Sequence, residues 1–200
     1  MDLEILDWSG ISNFSYDGMV RKKEIGDGSC FFHSFADSFY RPYKLGEVDK
    51  RKFVKSIRHQ LSELLGSKNE RGIVWYYTLS RGKLLDYSKQ MPDFTLENMQ
   101  ALLDSSNSID NRFNEFISNV FNKDIYIIDG TTRDVYITGD DDEILYKGRE
   151  SVVLLYYNRN HYDLVGILDD DRLITLFKPN HPFILQIRAR MSVLRKKIIK

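Results

Sequence analysis

Apolar residues in the earlier part of this chain recur at helical spacing, and later they gather into short dense runs. From Phe31 onward, Phe31, Phe32, Phe35, Ala36 and Phe39 fall on one face, which predicts a helix over 29–40. Pro42 stops it, because proline and the residue before it both resist helical geometry. The clearest amphipathic helix is predicted over 47–65, where Phe53, Val54, Ile57, Leu61, Leu64 and Leu65 repeat at three- and four-residue steps. Lys50, Arg51, Lys52, Lys55, Arg58 and Glu63 fill its remaining surface, and Gly66 is a fitting stop. His59 lies off the apolar stripe and reads as a surface residue. Residues 69–91 predict short helical pieces broken at Gly82, with their aromatics in the core rather than facing a partner. Thr95 or Asp93 caps a short helix through Leu103, and Ser108 or Asp110 caps another to about Asn122.

The later part reads as strands. Residues 124–129 form a buried strand, 133–138 another, 139–143 a turn tip, and 144–147 a stretch that pairs back. The unbroken apolar run 152–157 predicts a strand buried on both faces. Residues 158–160 are a turn, 161–168 a strand, 169–171 a tight turn, and 173–177 a partner strand. A last helix starts near Pro182, with Phe183, Ile184, Ile187, Met191 and Leu194 on one side. Residues 1–24 show no clean period and read as an irregular lead-in, with Arg21, Lys22 and Lys23 as a solvated turn. Helices come first and most strands come late, so the class is α+β rather than alternating βαβ.

Two hundred residues suffice for one core, and no repeat or composition shift marks a second domain. Lysine plus arginine equals aspartate plus glutamate at 29 each, so net charge makes no case for a nucleic-acid or membrane partner. One cysteine excludes an internal disulfide. The start lacks the basic and apolar regions of a secretory signal, and run 152–157 is too short to span a bilayer. An intracellular protein is expected. Arg188, Arg190, Arg195, Lys196, Lys197 and Lys200 make the end basic, which reads as a solvated helix end rather than a nucleic-acid site. The acidic runs follow no calcium-loop pattern.

The chemistry rests on Cys30, placed where a helix starts after the turn Gly26-Asp27-Gly28. The helix field there favours thiolate, the reactive form. A lone cysteine is more often structural. A nucleophile also needs a base, and the four histidines are His33, His59, His161 and His181. His33 follows Cys30 by one helical turn, but without a second cysteine or another histidine at ligand spacing no zinc site is expected. His161 and Asp163 point to one face of a strand, with Tyr162 and Leu164 on the other, their Cα atoms about 7 Å apart. A carboxylate at that reach can orient an imidazole. From spacing alone, an ordinary hairpin-edge histidine with an exposed aspartate is the other reading.

Taken together, Asp27-Gly28-Ser29-Cys30-Phe31-Phe32 resembles the cysteine motif of the ovarian-tumour (OTU) family of deubiquitinating cysteine proteases. His161-Tyr162-Asp163 after an apolar strand resembles that family's histidine motif. The resemblance covers about residues 20–168 of a single domain over 1–200, and Ser29 stands where many members have asparagine. It implies a papain-like OTU fold, a small, mostly antiparallel sheet flanked by helices. It further implies that Cys30 attacks the isopeptide carbonyl after the ubiquitin C-terminal glycine, that His161 is the base, and that Asp163 orients it. Asp27 shapes the loop whose backbone N–H groups, at Asp27, Gly28, Ser29 and Cys30, hold the oxyanion. Tyr157, Asn158 and Tyr162 lie nearest the histidine as substrate-binding candidates, and the acidic residues 140–143 are candidates for the arginines of the ubiquitin tail. No cofactor or metal is implied. The partners are ubiquitin, polyubiquitin and ubiquitin-like modifiers, without membrane or nucleic acid, in the cytoplasm (of the host cell if the chain is viral). The competing reading is a non-catalytic ubiquitin-binding module on the same fold.

Overall fold

The structure is a computed structural model that describes residues 2–137, 142–158 and 160–198. Its strands are β1 (Leu3–Ile5), β2 (Met19–Lys22), β3 (Asp124–Asp129), β4 (Asp134–Val135), β5 (Ser151–Tyr157), β6 (His161–Asp169) and β7 (Arg172–Ile174). Its α-helices are α1 (Cys30–Phe39), α2 (Arg41–Lys44), α3 (Lys50–Leu65), α4 (Leu84–Ser88), α5 (Leu96–Asp104), α6 (Asn114–Phe121), α7 (Asp142–Leu145) and α8 (Pro182–Ile198). Short 3₁₀ segments cover Trp75–Gly82, Pro92–Phe94 and Asn111–Phe113.

The described strands form one seven-stranded sheet in the order β1-β2-β6-β5-β3-β4, with β7 on β6. Only the β3–β5 pair is parallel; the other pairs are antiparallel. Successive strand residues face opposite ways. Ile125, Ile127, Val152, Leu154, Tyr162 and Leu164 therefore pack with α1, α3, α5 and α6 on one face. Tyr126, Ile128, Val153, Leu155, Val165 and Ile167 pack with α8 and with Leu6, Trp8 and Phe14 on the other. Both faces of β3 and β5 are covered, which is why their sequences read as unbroken apolar runs. The class is α+β, as expected.

Departures from the expected elements have local causes. The lead-in is not irregular: it contributes β1 and β2, and β2 docks on β6 with Arg21 opposite Val165 and Lys22 opposite Leu164. A four-residue strand is too short to show a period and gains its regularity from the partner it pairs with. Arg21 and Lys22 thus lie on a strand, half-buried and ion-paired, rather than in a solvated turn. Helix α3 starts at Lys50 rather than at the expected residue 47 because Asp49 caps it, accepting from Lys52 N at 3.1 Å. Within it, Arg58 is 2% exposed rather than on the surface. Residues 69–91 split: Tyr76, Leu79 and Leu84 are buried, whereas Ile73, Tyr77, Leu85, Tyr87 and Met91 are exposed. The strands expected over 133–138 and 173–177 are shorter, at Asp134–Val135 and Arg172–Ile174. Thr138, Gly139, Asp140, Asp141 and Arg159 lie outside the described residues.

The stretch 144–147 does not pair back as a strand. Asp142 and Glu143 open helix α7, where negative charge suits the helix start. The chain beyond it wraps Asp124 at the head of β3. That buried carboxylate accepts the N–H groups of Lys147, Gly148 and Arg149 at 3.0–3.1 Å, and Arg149 Nε at 2.6 Å. This collar sets the parallel register of β5 on β3. Removing one partner of a buried ion pair strands the other, so Asp124→Ala is expected to cost about 3–5 kcal/mol of stability, read by urea denaturation. A wild-type midpoint would refute that role.

Candidate active site

Helix α1 begins at Cys30 because the preceding residues forbid an earlier start. Gly28 has φ +80°, and a Cβ there would sit 2.0 Å from the Ser106 carbonyl oxygen, so no other residue fits. Ser29 takes the N-cap position with φ −107° and ψ 17°. Phe31, Phe32, Phe35 and Ala36 then lock the helix into the core, all at most 3% exposed. Phe31 meets the Tyr162 ring edge-on at 5.4 Å, which ties α1 to β6.

Cys30 Sγ lies against the start of β6. It accepts the N–H of Tyr162 at 3.4 Å and donates toward the Asn160 carbonyl at 3.7 Å, the peptide groups on either side of His161. Burial pushes the thiol above its ordinary pKa, and the N–H groups of Tyr162, Phe31 and Cys30 itself offset this only in part. The expected thiolate-favouring effect of the helix start is therefore outweighed, and the resting residue is a thiol.

His161 and Asp163 share a face of β6, as their spacing predicts, with Nε2 and Oδ1 at 3.0 Å. With the Nε2 proton donated to Asp163, Nδ1 is left as a proton acceptor. The ring packs edge-on to Tyr157 at 5.0 Å, and a Cβ on Gly26 would come within 3.8 Å of Nδ1. Asp163 is not the exposed residue of a hairpin edge but fully buried. Its Oδ1 also accepts Glu24 N at 2.8 Å, and its Oδ2 accepts Arg21 Nε at 2.5 Å and the Tyr157 hydroxyl at 3.0 Å. Arg21 extends the network to Tyr157 Oη and, at 3.1 Å, to Glu4. Burial and the Asp163 charge push the Tyr157 phenol up to about 12.

Asp27 turns back on its own loop and accepts Ser29 N at 3.0 Å. Its carboxylate also meets His33 Nε2 at 3.2 Å, while His33 Nδ1 takes the Tyr43 hydroxyl at 2.5 Å. Burial pulls the His33 pKa down, so the ring is neutral. Partial burial opposes ionisation of Asp27, but Ser29 N–H and His33 hold it below the usual carboxylate range. Among the described residues no group of three or more His, Cys, Asp and Glu could hold a metal ion. Nor is any helix there long and apolar enough to cross a membrane.

With this geometry, a thiol held by the peptide groups on either side of an oriented imidazole, the chain superposes on solved structures. It matches an OTU domain determined in complex with ubiquitin over 88% of this chain and 84% of that one, with a TM-score of 0.51 and 16% identity. The fold is that of an OTU domain. An OTU deubiquitinase of Wolbachia pipientis wMel aligns over 88% and 98% at 14% identity and TM-score 0.45. The Hazara virus OTU bound to ubiquitin aligns over 76% and 82% at 17% identity and TM-score 0.42. No protein-family profile and no curated protein matches the chain.

On this OTU fold the residues singled out in the sequence divide. Cys30 meets the start of the strand that carries His161 and Asp163, and Asp27 and Gly28 lie in the loop before it. Ser29 lies in the same loop, but its N–H is already donated to Asp27, so it is not a free oxyanion donor. Tyr162 is 5% exposed and packs edge-on to Phe31 and tilted to Tyr156, so its ring anchors the core rather than walling a substrate cleft. Tyr157 turns its hydroxyl to Asp163 instead of to a substrate. Asn158 is exposed, at φ +51°. Arg21, Glu24, His33 and Arg58 surround the site and were not expected there. For Arg58 the pattern did hold a clue, since it continues the stripe Val54, Leu61, Leu65.

Glu24 introduces a titration. Its carboxyl is buried against Asp37 of α1, with Lys22 paired to Asp37 and Lys50 nearby. Glu24 Oε1 and Asp37 Oδ1 are both buried and lack a donor, and one proton shared between the carboxyls satisfies both. Burial and then the Asp37 charge push Glu24 up to about 8. The folded protein therefore holds an extra proton between the ordinary value of 4.5 and about 8, and stability falls as pH rises through that window. Denaturation series across it are expected to show this slope in the wild type and its loss in Glu24→Gln; parallel slopes would refute the shared proton. Iodoacetamide alkylation of Cys30 in the free protein is expected to be still climbing above pH 9.0. A plateau near neutrality would instead show a resting thiolate.

Proposed function

We propose that this chain is a thiol-dependent deubiquitinase, a single domain over 1–200 acting in the cytoplasm on ubiquitin or polyubiquitin, with ubiquitin-like modifiers as further substrates. The observation that carries the reading is the grip of the β6 start on Cys30: the sulfur sits between the peptide groups flanking His161, whose far nitrogen is held by Asp163. The OTU fold supports it, together with the ubiquitin bound to the matched domain.

In this reading His161 Nδ1 takes the thiol proton as the sulfur attacks the carbonyl carbon of the isopeptide bond. The N–H groups of Asp27, Gly28 and Cys30 receive the oxyanion, and removal of one such donor typically costs about 3–4 kcal/mol of transition-state stabilisation. The imidazolium then protonates the departing lysine amine, and water releases the acyl group by the same route. Asp163 holds the Nε2 proton throughout. Because the resting residue is a neutral thiol, proton transfer belongs to the catalytic step rather than preceding it. Ile73, Tyr77, Leu85, Tyr87 and Met91 are exposed apolar side chains of the 73–91 stretch, of a kind suited to a protein partner.

A ubiquitin bearing a C-terminal electrophile is expected to label Cys30 and to leave Cys30→Ala unlabelled; an unlabelled wild type would sink the proposal. His161→Gln is expected to lower kcat by about 10²–10⁴-fold with the fold intact. Asp163→Ala is expected to lose turnover and about 3–5 kcal/mol of stability together, since the buried carboxylate that joins Arg21, the Glu24 N–H, Tyr157 and His161 is gone. Wild-type stability in that variant would contradict the network.

A further inference from the structure

Arg58 is a buried cation that no carboxylate touches among the described residues, although the charges of Asp27 and Asp104 act on it. It is 2% exposed and makes no ion pair among the described residues. Its guanidinium donates only to uncharged oxygens. Nε reaches Leu103 O at 2.9 Å, and Nη2 reaches Leu102 O and Asn107 O at 2.8 Å each. Nη1 reaches Ser29 Oγ at 2.9 Å and Gly28 O at 3.4 Å. The group lies over the Phe32 ring, 5.0 Å from its centroid. Burial pulls it down to about 10, which still leaves it charged at neutral pH.

Two of these acceptors belong to the loop before Cys30, and one of them is out of its usual role. A serine at the N-cap ordinarily turns its hydroxyl inward to accept an N–H from the first helical turn. Ser29 makes no such bond; its hydroxyl faces Arg58. Phe32 N and His33 N bond instead to the Ser29 carbonyl. The N–H groups of Cys30 and Phe31 reach no oxygen among the described residues and turn toward the Cys30 sulfur.

We propose that Arg58 is a positioning residue: it diverts the Ser29 hydroxyl away from the start of α1, leaving the Cys30 and Phe31 N–H groups open to the oxyanion that forms when Cys30 attacks. This rests on the reading of Cys30 as the nucleophile. Arg58 also closes the end of α5 through Leu102 and Leu103, so a purely structural role has to be told apart from the positioning one.

The separation uses Arg58→Lys, Ser29→Ala and the double variant, with three readouts on the full chain. With a ubiquitin bearing a C-terminal fluorogenic amide, Arg58→Lys is expected to lower kcat by about 10²-fold, as for loss of an oxyanion donor, with KM unchanged. Iodoacetamide alkylation of Cys30, a displacement that forms no oxyanion, is expected to keep its wild-type rate. Adding Ser29→Ala is expected to restore kcat by about tenfold, because the competing hydroxyl is gone. No recovery in the double variant, or alkylation falling in step with kcat, overturns the proposal. Should Arg58→Lys fail to fold, amide hydrogen exchange in Ser29→Ala decides the matter. Exchange at Phe31 and Phe32 is expected to match the wild type, and acceleration would show that the hydroxyl was capping after all. A wild type that turns over no ubiquitin substrate would defeat the functional reading separately, and the exchange measurement then decides the diversion of Ser29 by itself.

Discussion

The Asp163 carboxylate is the junction on which the site is built. It is fully buried, and burial of such a group is tolerable only when donors replace the water it has lost. Those donors come from separate parts of the chain: Arg21 on β2, the Glu24 N–H in the loop that follows, Tyr157 at the end of β5, and His161 on its own strand. The same four interactions close the β2–β6–β5 portion of the sheet and fix the loop that leads to Cys30. Cohesion and site geometry are therefore one network here, and Asp163 keeps its place without help from the histidine it orients.

The chemistry of Cys30 follows from a contest between two effects of known size. A helix start favours an exposed negative charge by about 0.3–1 kcal/mol. Taking a charge out of water costs far more than that. At 2% exposure burial wins, and the thiol keeps its proton until something accepts it. The phenylalanines that fix α1 in place are thus also the reason the sulfur rests in its unreactive form.

Much of the fold was legible because burial writes itself into periodicity. The stripes of α1, α3 and α8 and the runs of β3 and β5 all lie where their apolar spacing places them. The shared face of His161 and Asp163 followed from strand alternation alone. What escaped was structure whose cause lies elsewhere in the chain. β2 is a strand because β6 pairs with it, and Arg21 is half-buried because Asp163 waits across that pair. Arg58 looked like one more cation on a polar face, although it stands in line with Val54, Leu61 and Leu65. Tyr162 looked like a cleft wall because it adjoins His161, but alternation turns its ring to the opposite face. Composition also hid the Glu24–Asp37 pair, since two acids that share a proton look no different in sequence from two that face water.

The close approach of Gly28 to the Ser106 carbonyl makes the loop before Cys30 and the α5–α6 connection a single mechanical part. Neither can shift unless the other gives way. Substitution at 28 is thus limited by a backbone atom contributed from a distant stretch of the chain. A redesign of the 105–107 turn would accordingly reset the Cys30 loop without altering a single residue of that loop.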